Sequence, residues 1–327
     1  MSRVIAITSG KGGVGKSNFV LNVGIALAMM DNRVQILDAD LGLANLDVLL
    51  GIRPHKNIED VVLRLASIKD IVINTDYKVD LIPGSSGTQD MADLSRNLID
   101  NLVKETIEVS RDSDFLLVDT GSGVSSNVIT FLMAVPEVVL GVSPEPTSLT
   151  DAYSLIKILS RSGYEGRISL FASMVKNSNS GQGIYKKISS AAQRFLDTQI
   201  GYMGSIYQDI KLKKAVSDQV PAIVRFPSSD VARCYRVVAT TLLGQEGVDV
   251  DYEKFWSRLI NMILMLPRPK TMKAIDFDEE ASKNGSLEDT VNVILDEQRR
   301  TRLLLERLLV KMEEDFTPEE EQKERIV

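Results

Sequence analysis

Short runs of consecutive apolar residues alternate, along the first 245 positions, with longer stretches in which apolar side chains recur at helical spacing. The runs fall at 4–8, 34–37, 79–82, 115–118, 138–142, 168–171 and 202–206. A run that is apolar at every position has both faces covered, which is the signature of a buried strand in a parallel sheet. Helical spacing covers 16–30, where Phe19, Val20, Val23, Ala26, Leu27 and Met30 share a stripe, and also 148–160 and 184–196. The alternation predicts an α/β fold. A doubly wound, mainly parallel sheet lies between two layers of helices (three-layer α/β/α), with right-handed crossovers.

The pattern changes after about residue 245. Residues 247–252 form a short acidic link, and 255–266 are densely apolar until Pro267 and Pro269 stop the run. Residues 271–285 are polar. Ser286 and Asp289 resemble the start of a helix that continues to about Met312. The expected organisation is a P-loop domain over 1–250, a short apolar and basic segment over 251–269, a linker over 270–285, a C-terminal helical extension over 286–315 and an acidic tail over 316–327. The segment at 255–266 is too short to cross a bilayer. With Lys254, Arg258, Arg268, Lys270 and Lys273 around it, one reading lays 254–273 on an anionic membrane surface. The other packs it on the core.

Composition narrows the chemistry. The chain of 327 residues has a net charge of −7, which argues against broad nucleic-acid binding, and no specific nucleic-acid partner is expected. It contains one cysteine, Cys234, and one histidine, His55. One of each cannot build a His/Cys zinc cage, and a lone thiol cannot supply the two ligands per chain of a shared iron–sulfur cluster. His55, between Pro54 and Lys56, reads as a surface loop residue. The lone cysteine and the absence of a recognisable signal sequence suit a cytoplasmic protein, with peripheral attachment to the inner membrane face as the alternative.

Catalysis therefore rests on Lys, Asp, Ser and the backbone. Gly10-Lys11-Gly12-Gly13-Val14-Gly15-Lys16-Ser17 follows the first strand and opens the first helix, matching G-x-x-x-x-G-K-S/T. Glycines let successive N–H groups curl around a phosphate, and the helix N-terminus favours its charge. Lys16 can reach the β- and γ-phosphates, and the Ser17 hydroxyl can ligate Mg²⁺. Asp38 and Asp40 end the second strand, and Asp119 follows the apolar run 115–118 in a Walker B pattern, ahead of the small residues 120–123. The implied cofactors are ATP and Mg²⁺.

At these residues the chain resembles the MinD/ParA family of deviant Walker ATPases, and within it the flagellar number regulators FlhG and FleN. The resemblance is carried by 9–18 (SGKGGVGKSN), 37–51 (LDADLGLANLDVLLG), 118–125 (VDTGSGVS) and 143–157 (SPEPTSLTDAYSLIK), and it spans roughly 2–245. It implies a dimer formed face to face around two ATP molecules, with Lys11 reaching the partner's nucleotide. It also implies Asp40 as the residue orienting the attacking water, Asp38 in support, and Asn45 near the hydrolytic site. Asn18 closes the cradle, and Ser17, Asp40 and Asp119 serve the metal shell. Hydrolysis of ATP in the family is slow and partner-stimulated, so a regulatory protein of the flagellar or division machinery is the expected partner. Where the family's adenine site carries Asn and Pro, this chain has Ser173 and Tyr207.

The function these readings favour is a nucleotide-dependent dimerisation switch that positions or limits a cell structure, most simply the flagellum. The alternatives are a ParA-like partition or cell-division site-selection ATPase, a metabolic ATPase of the same superfamily, and an adaptor that binds ATP without turnover.

Overall fold

The computed structural model describes residues 3–40, 46–62, 64–84, 107, 113–248 and 251–265. Within them, eight strands form one sheet in the order β3-β4-β2-β5-β1-β6-β7-β8. These are β1 (Arg3–Ser9), β2 (Val34–Ala39), β3 (Ile73–Asn74), β4 (Val79–Ile82), β5 (Phe115–Ser122), β6 (Glu137–Val142), β7 (Arg167–Val175) and β8 (Gly201–Tyr207). Every pairing is parallel except β3 with β4.

β1 is buried along its whole length because it lies in the middle, between β5 and β6. Its side chains alternate between two cores. Val4 and Ala6 point into one, Ile5 and Ile7 into the other. The second core is closed by α1 (Lys16–Ala28), α8 (Ile210–Ser217), α9 (Ala222–Arg225) and α10 (Asp230–Leu243). The first is closed by α5 (Ser126–Leu132), α6 (Pro146–Arg161) and α7 (Ser178–Leu196). The remaining short helices are α2 (Leu46–Leu50), α3 (Ile58–Val62) and α4 (Ile68–Ile71). This is the doubly wound, three-layer arrangement expected. After β1 the chain winds toward β2, and after β5 it winds back past β1 to β6, so the carboxyl end of β1 lies at the switch point where such sheets bind ligands.

A buried ion pair fastens the opposite end of the sheet. Arg3 donates through Nε and Nη2 to the Glu137 carboxylate at 2.9 and 2.7 Å, and Arg167 approaches the same group at 3.4 Å. The same arginines donate to the carbonyls of Gln245 and Glu246, stitching the chain just after α10 to the first and seventh strands.

The apolar segment near residue 255 is helix α11 (Tyr252–Met265). Phe255, Trp256 and Ile260 are buried in the first core, where Phe255 meets Phe131 edge-on with 5.8 Å between centroids. Arg258 donates to the Met133 carbonyl at 2.6 Å. Of the two readings, these three apolar side chains follow the one that packs the segment on the core. Phe255 and Trp256 pack this helix against its own domain, and taking their apolar surface out of water favours the contact. The rest of the lipid-facing reading, 266–273, lies outside the described residues, as do the expected linker, C-terminal helix and tail. No helix among the described residues is long and apolar enough to cross a membrane.

Candidate nucleotide site

Between Ser9, the end of β1, and Lys16, the start of α1, the chain makes the turn that the glycine spacing predicts. Gly13 and Gly15 adopt φ of +79° and +91°, left-handed values that a side chain would strain. Gly10 is required for another reason: a Cβ there would stand 2.5 Å from the backbone of Asp151 on α6. Gly13 has open space where its side chain would be. Gly15 caps α1 without a side-chain hydrogen bond, and no acidic residue occupies the first turn. The N-cap therefore takes none of the first N–H groups of α1, and the helix dipole adds to their pull on an anion. Lys16 lies against the loop, 8% exposed. The loop is braced by the Ser9 hydroxyl, donating to the Lys11 carbonyl at 2.6 Å, and by the Ser173 hydroxyl, donating to the Val14 carbonyl at 2.7 Å.

Three carboxylates face this cradle. Asp38 and Asp119 are in register across β2 and β5. Asp38 is buried and accepts from the backbone N–H groups of Asp40 and Leu46 at 3.2 and 3.3 Å. Asp40 borders Gly121; burial raises its carboxyl, and Lys16 partly offsets this. Asp119 is 1% exposed, and neither of its oxygens has a hydrogen-bond partner at ordinary geometry. Burial pushes its carboxyl up to about 7; the nearby Ser17 hydroxyl and Lys16 pull it down, while Asp38 and Asp40 push it further up. An unpartnered carboxylate in the interior is costly unless something completes it.

A hard divalent cation would complete it. Ser17, which lies beside Asp119, and Asp119 itself would supply its protein oxygens, with Lys16 close by to meet phosphate charge. Among the described residues no three His, Cys, Asp or Glu side chains cluster as a metal cage. Mg²⁺ takes one or two protein oxygens and leaves the rest of its shell to phosphate and water. The donor set therefore fits Mg²⁺ with a polyphosphate.

The structure brings together most of the residues singled out from sequence. Gly10 to Gly15 form the turn, and Lys16, Ser17 and Asn18 open α1, with the Asn18 carbonyl accepting from Asn22. Asp38, Asp40 and Asp119 close the far side. Asn45 lies outside the described residues. One boundary differs: β5 does not stop at Val118 but carries Asp119 to Ser122 within the strand. Ser122 pairs with Ser9, and the Thr120 hydroxyl donates to the Ile7 carbonyl at 2.9 Å, so polar residues extend the ladder. Lys11 lies outside the cradle, with its ammonium beside Glu145 and Thr147 at the start of α6. Sequence reasoning gave no role to Ser173, Glu145 or Thr147 in the loop. Glu145 and Thr147 lie in the 143–157 segment, but nothing local ties them or Ser173 to the loop, which is more than a hundred positions away.

Residues 1–243 match the ParA family, described as NUBPL iron-transfer P-loop NTPase. The chain belongs to the MinD/ParA family of P-loop NTPases. Among its relatives is the antiactivator FleN of Pseudomonas aeruginosa, 40% identical over 237 residues, which are 72% of this chain and 85% of FleN. The flagellum site-determining protein YlxH of Helicobacter pylori is 36% identical over 67% of this chain and 74% of its own. The fold is that of the septum site-determining protein MinD of Pyrococcus horikoshii, solved with Mg-ADP: TM-score 0.58, 24% identity, 74% of this chain and 96% of that one. For this MinD/ParA member the iron-transfer part of the family description has little support in its side chains. Its single cysteine, Cys234, is buried, and burial raises its thiol further from the thiolate an iron ligand needs.

Proposed function

We propose that this MinD/ParA NTPase binds Mg·ATP between the 10–17 turn and the Asp38/Asp40/Asp119 wall, dimerises in that state, and hydrolyses ATP slowly under the control of a partner. In this role it acts as a switch that limits the number or sets the place of flagella. The observation that carries the nucleotide reading is the pairing of a helix N-terminus lacking a side-chain cap with the buried, unpartnered Asp119 across one crevice. The identity shared with FleN and YlxH, whose names are flagellar, supports the biological role over a partition role.

In this reading the loop N–H groups and Lys16 bind and orient the phosphates. Ser17 and Asp119 hold Mg²⁺, which when bound neutralises charge on the β- and γ-oxygens. Asp40, half-buried with a raised carboxyl, sits where it can hold the attacking water and accept its proton. Lys11 is the one loop lysine not committed to the cradle, and we assign it to the second nucleotide of the dimer.

The test is calorimetry and light scattering on the full chain. Wild type should bind Mg·ATP with a measurable heat and double in mass, while Lys16→Ala should do neither. No heat from wild type would overturn the nucleotide reading; binding without a change in mass would overturn the switch.

A further inference from the structure

The loop leaving β1 is held from β7, two places away in the sheet. Two contacts make the hold. The buried Ser173 hydroxyl donates to the Val14 carbonyl at 2.7 Å. The Val14 side chain, 2% exposed, fits over Gly141 of β6. A Cβ on Gly141 would stand 3.1 Å from Val14 Cγ1 and 2.6 Å from Phe171 Cζ, so only glycine leaves the gap in which the loop and β7 meet. Phe171 is fixed in turn by stacking on Phe19 of α1, with centroids 3.8 Å apart.

The carbonyl and N–H of a trans peptide point in opposite directions. Fixing the Val14 carbonyl toward Ser173 therefore turns the N–H of Gly15 to the other side of the loop. A peptide next to glycine rotates at little steric cost. If this one rotated, a carbonyl would face the anion in place of a donor. We propose that Ser173 is a positioning residue for nucleotide binding: by holding the Val14 carbonyl it keeps the Gly15 N–H directed into the phosphate cradle. The inference rests on the nucleotide reading above and gives the Ser173 hydroxyl a task on the phosphates rather than on the base. It resembles the logic of an oxyanion hole, where donors fixed in advance need no reorganisation when charge arrives.

The experiment is equilibrium binding of Mg·ATP, Mg·ADP and Mg·GTP to wild type, Ser173→Ala, Ser173→Thr and Gly141→Ala, with the ligand-free melting temperature of each. Ser173→Ala should weaken all three nucleotides by about 3- to 10-fold, the range expected for one lost hydrogen bond, and leave the ATP-to-GTP ratio unchanged. Ser173→Thr keeps the hydroxyl and should stay within about 2-fold of wild type on the same scale. Gly141→Ala crowds Val14 from beneath and should weaken all three in parallel without touching Ser173. Unchanged affinity in Ser173→Ala, a loss confined to adenine nucleotides, or threonine no better than alanine would each overturn the proposal. A wild-type chain that bound none of the three would instead bring down the nucleotide reading, and this inference with it.

Discussion

The ammonium of Lys11 lies 2.6 Å from the Glu145 carboxylate and 3.3 Å from the Thr147 hydroxyl, so within one chain the extra loop lysine is tied to the start of α6. The pair is open to water on both sides, 43% and 63% exposed. Exposed pairs are worth about 0–1 kcal/mol, so the tie is easily broken when a partner offers phosphate instead. Glu145→Ala should move the melting temperature by less than about 3 °C, since ~1 kcal/mol shifts a domain of this size by roughly 2–4 °C. Lys11→Ala should keep the wild-type affinity for Mg·ATP within about 5-fold, the most an exposed charge contributes at about 1 kcal/mol, yet lose the ATP-dependent dimer in light scattering. A Lys11→Ala protein that still dimerised would remove the residue from the interface.

Ser17 acts through the metal in the proposed site, which separates its effect from that of Lys16. Ser17→Ala should weaken Mg·ATP by roughly 10-fold, in line with loss of one ion–oxygen contact, while ATP binding in excess EDTA changes by less than about 2-fold. Equal losses with and without Mg²⁺, read by fluorescent-nucleotide displacement, would show that the hydroxyl serves the loop and not the cation.

Asp119 gives the site a pH dependence of determinate sign. Its carboxyl ordinarily titrates at 3.8 and in the fold is pushed up to about 7. Between those values the folded chain holds a proton that the unfolded chain has released. The stability contributed by this group is therefore complete below pH about 4 and lost as pH rises through about 7. Asp119→Asn removes that loss. The ligand-free variant should melt higher than wild type at pH 8, by at least ~3 °C given roughly 2–4 °C per kcal/mol, and the gain should vanish near pH 4. Conversely, Mg²⁺ should tighten ATP binding to wild type less at pH 6 than at pH 8, and not at all in the variant. A melting difference that did not change with pH would sink this account.

Trp256 is fully buried and packs with Phe255 into the first core. Trp256→Ala should cost about 3–5 kcal/mol in urea unfolding, as large-to-small changes at buried aromatics do. A side chain whose task was to enter lipid would leave that stability intact and reduce vesicle co-sedimentation instead.

The strands were legible because burial on both faces writes an uninterrupted apolar run, as in Val4 to Ile7. The ends were less so. β5 outlasts its apolar residues because Thr120 and Ser122 extend it by hydrogen bonding, and no periodicity records that. α2, α3 and α4 span four or five residues each, too short for a helical stripe to repeat. At the site, the glycine turn and its acids were visible as a local motif, and the hold from Ser173 was not. That bond joins positions 159 apart in sequence, and only the folded sheet order β1-β6-β7 brings them together.

The central place of β1 has a cost during synthesis. The segments that flank it, Phe115–Ser122 and Glu137–Val142, are made more than a hundred residues after it. At translation rates of about 5–20 residues per second, its apolar row stays without sheet partners for on the order of ten seconds. The nascent chain is then at its most prone to aggregate, because non-local parallel pairing is slow to close.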